Sequence, residues 1–503
     1  MTVRIFLIFN FLFFFSFFAF SQKPSKIEIL NADVLDYDKS ISGNLTRLVG
    51  NCAFKQDNVL LYCDSALFDE AKNSFDAYGN VKIVQGDSLT ITADILKYDG
   101  DQKKARLFNN ITMIDKEMVL TTNNLDYDAK RKVGVYYNGG KLTNKENVLT
   151  SSNGYYYANS RDSYFRYNVL LTSPESTMKS DTLRYNTATR TAYFYGPTTI
   201  LSKDGDRLYT ENGNYNTISG KANFYKKSSY QTGNQILRGD TLFYDRKLGF
   251  GKGFRNVSIE DTAEKVTIYG QLAQSNRVTN VSYVTKKAYA VLVSDSDSLF
   301  LSADTLKTRL DSNGKDRMMQ AYNKVKIFKS DLQAVCDSMV FTFSDSIMKC
   351  YENPIIWAQG SQLTADFITL ELKNKKLDKM NMYNAAFIIS PDDTINYFNQ
   401  VKGKNMFGTF KDGKLDRLLV EGNGQSIYFA KEESGKYIGV NSAECSNILV
   451  RFKDNKTDKI TFITEPDATF SPLDQVEAGE LKLKNFKYQD VLRPKSKQDA
   501  LIR

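Results

Sequence analysis

The chain has 503 residues and not one histidine, which excludes Ser-His-Asp and Cys-His catalysis and every His-based metal site, and removes the commonest general base. With 67 Lys and Arg against 58 Asp and Glu, the net charge is +9. That is mild for the length and forms no basic stripe with interleaved aromatics, so no nucleic-acid partner is indicated; it suits acidic or phosphorylated lipid or glycan, or general solubility, equally well.

Residues 1–21 read as a signal peptide. Arg4 is the only charge, Ile5 to Phe20 is an apolar run, and Ala19-Phe20-Ser21 is a small-x-small site, so cleavage is expected before Gln22. The run is short for a spanning helix, and no later stretch is apolar enough to be one.

From residue 22 a single block recurs. It is a small residue, Asp or Asn, any residue, Leu, any residue, then Tyr or another apolar residue. Copies are Ala32-Asp33-Val34-Leu35-Asp36-Tyr37, Ala93-Asp94-Ile95-Leu96-Lys97-Tyr98, Ser180-Asp181-Thr182-Leu183-Arg184-Tyr185 and Gly239-Asp240-Thr241-Leu242-Phe243-Tyr244. The Asp, or its substitute, falls at 33, 64, 94, 123, 153, 181, 212, 240, 270, 304, 337 and 366, a spacing of 28 to 34 residues. A fixed period of this size means a stacked array in which each unit covers its neighbour's apolar face.

The unit is β. Before the Asp, apolar residues share one parity, as in Leu89, Ile91 and Ala93; after it they take the other, as in Leu96 and Tyr98. Alternation that changes phase at one step predicts a kink or bulge there. A second element, Gly50-Asn51-Cys52-Ala53-Phe54 or Gly79-Asn80-Val81-Lys82-Ile83, is read as the start of a hairpin, because a polar turn such as Gln56-Asp57-Asn58 follows it. The repeated acids Asp33, Asp64, Asp94, Asp181, Asp240, Asp304, Asp337 and Asp366 are assigned a structural turn role, since equivalent copies argue for satisfying amides at the kink rather than for catalysis. No metal, cofactor or catalytic residue is assigned.

Of the five cysteines, Cys63 and Cys336 fill the small slot before Asp. Counting back from an Asp57-Asn58 turn places Cys52 opposite Cys63, a candidate disulfide. Cys336 and Cys350 are not opposed in the register that Asp345-Ser346 suggests. After Asp366 the signal fades. Residues 376–492 are read as degenerate repeats or a cap, and 493–503 as a polar tail expected to fray.

The ordered blocks at 32–38, 79–83, 89–94, 93–99 and 239–245 resemble the OstA family, the organic-solvent-tolerance and lipopolysaccharide-transport proteins of the LptA type, in a large form associated with the Bacteroidetes envelope. The resemblance is strong over 26–375 and weak beyond. It implies an all-β, elongated, repetitive antiparallel β-jellyroll, V-shaped in section and open along one side, with about 30 residues per repeat over 22–375. It implies a periplasmic, non-enzymatic bridge that carries lipopolysaccharide or a related acylated glycolipid toward the outer membrane. Such a protein would be peripheral to membranes and meet other transport components, or copies of itself, end to end. The expected acyl groove is Leu61, Leu89, Ile91, Leu120, Leu237, Leu299 and Leu301 before the kink and Leu96, Leu125, Leu183, Leu242 and Leu306 after it. The alternative is a non-catalytic structural or carbohydrate-binding β-solenoid of the envelope.

Overall fold

A computed structural model describes residues 25–37, 45–293, 297–374, 376–392, 397–432, 434–453 and 456–501. The proposed signal peptide lies outside the described residues. Among them, no helix is long and apolar enough to cross a membrane. The fold is nearly all β, a repetitive antiparallel jellyroll. The chain forms two compact units that divide between Tyr167 and Asn168.

In the first unit the strands Val59–Asp69, Ser74–Gln85, Leu89–Asp99 and Lys104–Asp115 have 11 or 12 residues and pair in sequence order. The phase change is visible in burial. Val59, Leu61 and Cys63 face inward, then Ala66 and Phe68 do. At the same level the ladder shifts register, between Tyr62 and Ser65 and again between Thr92 and Ile95.

The corner itself sits on the partner strand. Gly79 and Asn80 both have positive φ, 74° and 45°, as do Gly50-Asn51 and Asn109-Asn110. Gly and Asn tolerate this left-handed region best, which is why they recur there. The expected hairpin forms, with Val81 to Gln85 pairing back onto Leu89 to Ala93, but its first strand begins earlier, at Ser74, and runs through Gly-Asn. Two left-handed residues bend the strand without ending its ladder.

Each strand thus has two legs, and the legs build two apolar leaves. The leaves pack on each other directly: Phe54 stacks on Phe75 with ring centroids 4.3 Å apart.

The second unit repeats the plan with other corner residues. Arg255-Asn256, Lys286-Lys287 and Asn323-Lys324 all have positive φ. Toward its end the strands lengthen to 16, 18 and 17 residues at Lys376–Pro391, Lys414–Lys431 and Tyr437–Lys453. As far as Leu501 the tail is seated, contrary to the expectation that it frays. Residues 472–501 dock on the jellyroll: Arg493 Nε donates to Gln333 Oε1 at 2.8 Å, and Ala500 is fully buried. Buried glutamines supply the contacts that a polar tail needs.

Candidate functional site: the apolar interior and its rim

All twelve predicted groove residues point inward and are at most 7% exposed. Cross-strand pairing gathers most of them into rows. In the first unit Leu61 pairs with Ile83, Ile83 with Ile91, Ile91 with Met113, and Met113 with Leu120. On the other leaf Leu96 pairs with Leu107 and Leu107 with Leu125. In the second unit Leu237 continues through Ile259, Ile268 and Ala290 to Leu301. Leu183, Leu242 and Leu306 lie on a row with Phe194, Phe224 and Val284. Leu89 and Leu299 stand nearer the hairpin tips, where Leu89 pairs with Gln85 and Leu299 with Leu292.

The interior is filled. A Cβ built on Gly253 would lie 3.0 Å from the Leu242 side chain and 3.3 Å from that of Leu237 on the other leaf. The open side that the resemblance implies is also closed, because the rims of the two leaves are laced together. Tyr98 Oη donates to Gln56 Oε1 at 2.6 Å, Tyr127 Oη to Gln85 Oε1 at 2.5 Å, and Tyr156 Oη to Asp115 Oδ2 at 2.7 Å. Gln56 and Gln85 also donate to the carbonyls of Gly100 and Ala129 in the opposite turns, each at 2.8 Å. Lys103 pairs with Asp57 across the same rim and, mainly through that hydrogen bond, holds the Asp57 carboxyl below the usual range.

In the second unit the lacing is largely ionic. Tyr244 Oη donates to Asp206 Oδ2 at 2.9 Å, but Arg246 meets Glu175 at 2.9 Å, Arg277 meets Asp204 at 3.2 Å, and Arg317 meets the buried Asp261 at 3.0 Å. Burial raises the phenol pKa of Tyr98, Tyr127, Tyr156 and Tyr244; that of Tyr136 is pushed up to about 12.

The rim glutamines were missed in the sequence, although a signal exists. Gln56 and Gln85 are polar residues on the apolar parity, each one step before a turn. The terminal Tyr of the block supplies their partner.

The repeated acids knot the corners. Asn51, Asn80, Asn110 and Asn256 donate their side-chain amides to Asp33, Asp64, Asp94 and Asp240 at 2.7 to 3.0 Å. The Asp carboxylate lies over the corner glycine, so a Cβ on Gly79 would meet Asp64 Oδ2 at 2.4 Å. Elsewhere the partner changes. Asp181 accepts from Thr182 Oγ1 at 3.0 Å and Asp337 from Ser338 Oγ at 2.6 Å. Asp304 offers its carbonyl to Thr285 Oγ1 at 3.1 Å, and the Asp366 main-chain N–H donates to Asn384 at 3.1 Å.

Cys52 pairs with Cys63 in register, and both are buried free thiols; desolvation pushes Cys63 up to about 12. Cys350 pairs with Met339 rather than Cys336. A polar cleft of about 770 Å³ between Lys402, Gln425, Glu444 and Asp467 contains none of the predicted positions.

Kinked strands, paired leaves and an apolar interior define a repetitive antiparallel β-jellyroll. Residues 24–181 match the family described as OstA-like protein. No curated protein matches the chain.

Proposed function

We propose that the protein is an exported, periplasmic lipid carrier that takes the acyl chains of lipopolysaccharide, or of a related glycolipid, between its two leaves and conveys them toward the outer membrane. The observation that carries this reading is the unbroken apolar row Leu61–Ile83–Ile91–Met113–Leu120, with its counterpart from Leu237 to Leu301. A row without polar interruption lets an acyl chain slide from unit to unit. Each buried methylene contributes ~0.8 kcal/mol, so several chains outweigh a few single rim hydrogen bonds worth about 1 kcal/mol each. Loading therefore parts the rim, and the laced form is the empty carrier. Other transport components, or further copies, would meet the chain end to end.

The filled interior favours one other reading, a closed structural solenoid with no ligand. A photo-crosslinker at Ile91 or Leu301 separates the two. Capture of lipopolysaccharide from living cells at these sites, with little at outward Thr90 or Lys97, is the expected result. Equal capture at all four, or none, would leave the closed solenoid.

A further inference from the structure

Residues 473–501 cross the rims of the second unit, yet form no β-ladder with it. They hold two 3₁₀ turns, Leu473–Gln475 and Asp490–Leu492, and the short helix Lys497–Leu501. Their attachments are side-chain clamps. Gln362 donates to the Lys487 carbonyl at 2.7 Å and accepts from the Gln489 N–H at 2.6 Å. Gln400 does the same to Leu481 and Leu483, at 2.9 Å each. Ser302 Oγ donates to the Ala500 carbonyl at 2.5 Å. A long strand pair such as Lys414–Lys431 with Tyr437–Lys453 matches 13 residue pairs in its ladder, so the segment is the more weakly held element.

What it covers is apolar. Ile427, Phe429 and Val440 form a buried cluster, against which Tyr397, Tyr437, Leu473, Val476, Leu481 and Leu483 pack. Tyr397 stacks on Phe429 at 4.6 Å and meets Tyr437 edge-on at 5.0 Å. Phe486 of the segment packs on Phe398 at 5.2 Å. From Leu473 to Phe486 the half-buried residues are Leu473, Val476, Leu481, Leu483 and Phe486, while those between are exposed. It thus presents a line of hydrocarbon to the jellyroll and a polar back to water.

We propose that this segment is a displaceable strap over an acyl-binding site walled by Tyr397, Ile427, Phe429 and Val440, and that its Leu and Val side chains hold the place of acyl carbons until a lipid displaces them. This rests on the lipid reading above. It adds where acyl chains first bind in the second unit and what regulates them: strap and lipid compete for one apolar surface, so the site's apparent affinity falls by the fraction of time the strap is seated.

The test uses the full mature chain and a photoactivatable C16 fatty acid, with labelled peptides identified by mass spectrometry. Leu481→Ser with Leu483→Ser should unseat the strap and raise labelling around Phe429 and Tyr437 at least ~5-fold. A bismaleimide bridge between Lys402→Cys and Lys484→Cys, positions joined by an exposed hydrogen bond from Lys402 Nζ to the Lys484 carbonyl at 3.1 Å, should lower it by a similar factor; the five native cysteines are buried. Labelling around Ile91 should stay unchanged in both. Labelling near Ile91 but none near Phe429 in the unseated variant, or no response to either change, overturns the proposal and leaves the lipid reading standing. No labelling anywhere overturns both. Amide exchange guards against misfolding: faster exchange confined to the strap supports the proposal, and loss of protection throughout the second unit makes the segment an integral part of the core and overturns it.

Discussion

The two units solve one problem with different chemistry. Before Tyr167 the corners are Gly-Asn, Asn-Asn or Asn-Gly, and the rim is laced mainly by tyrosines donating to Gln56, Gln85 and Asp115. From Asn168 onward corners include Lys286-Lys287 and Thr464-Glu465, the lacing is mostly Arg to carboxylate, and a strap takes over beyond Ser302. The interior rows continue the same apolar parity in both. The difference teaches that core pattern specifies the fold, while the rim is free to vary as long as every buried polar group finds a partner.

The largest effect expected from breaking that comparison is in the second unit. Arg317→Ala leaves Asp261, 4% exposed at its side chain, without its cation, and should cost about 3 kcal/mol, read as a drop in the urea midpoint. A change under ~0.5 kcal/mol would mean that the ionic lacing is no stronger than a surface pair.

Next comes the corner. Gly79→Ala places a Cβ against Asp64 at φ 74° and should cost about 2 kcal/mol. Lys286→Gly, at φ 63° in the second unit, should instead be neutral or stabilising by up to about 1 kcal/mol. If both glycine-to-alanine and lysine-to-glycine changes destabilise equally, the corners are not equivalent.

Tyr98→Phe should cost about 1 to 2 kcal/mol, since Gln56 Oε1 loses the donor that reaches it across the rim. Its counterpart in the second unit, Tyr244→Phe, should cost less, because Asp206 keeps Arg277 beside it at 3.6 Å. Equilibrium unfolding of the two variants in parallel reads the contrast.

The smallest effect within the working pH range is that of alkali on the phenols. Folding raises their pKa, so their contribution is fully present below the unfolded value near 10 and is lost as pH rises through the folded one. For Tyr136, which rises from 10.0 to about 12, stability should fall between these two values. The ultraviolet titration should show a tyrosine class that ionises only on unfolding; simple titration of all phenols near pH 10 would contradict the closed rim.

Much of this was legible in the residues. Period, parity and the phase change at Asp94 or Asp304 predict kinked strands, because an inward face cannot tolerate misplaced Leu or Tyr. The opposition of Cys52 and Cys63 followed from a two-residue turn. The knot between Asp64 and Asn80 was not legible, because both halves of it were read as local features when they are partners 16 residues apart. The partners at the rim were hidden for the same reason: Gln56 and Tyr98 are 42 residues apart and meet only once the leaves fold together. The strap was hidden by composition, since Lys482, Lys484 and Lys487 interrupt its apolar residues within what was read as degenerate repeats or a cap, and Lys495 lies in what was read as a frayed tail.

A strand that bends through two left-handed residues belongs to both leaves at once. Neither leaf can therefore be stripped while the other stays intact, and a tug on one end of the chain has to peel a whole kinked strand before the next is exposed. Pulled in an optical trap, the protein should lengthen as a staircase whose treads match one kinked strand with its turn, 15 residues from Val59 to Ser74 or ~50 Å of extended chain, rather than in one rupture.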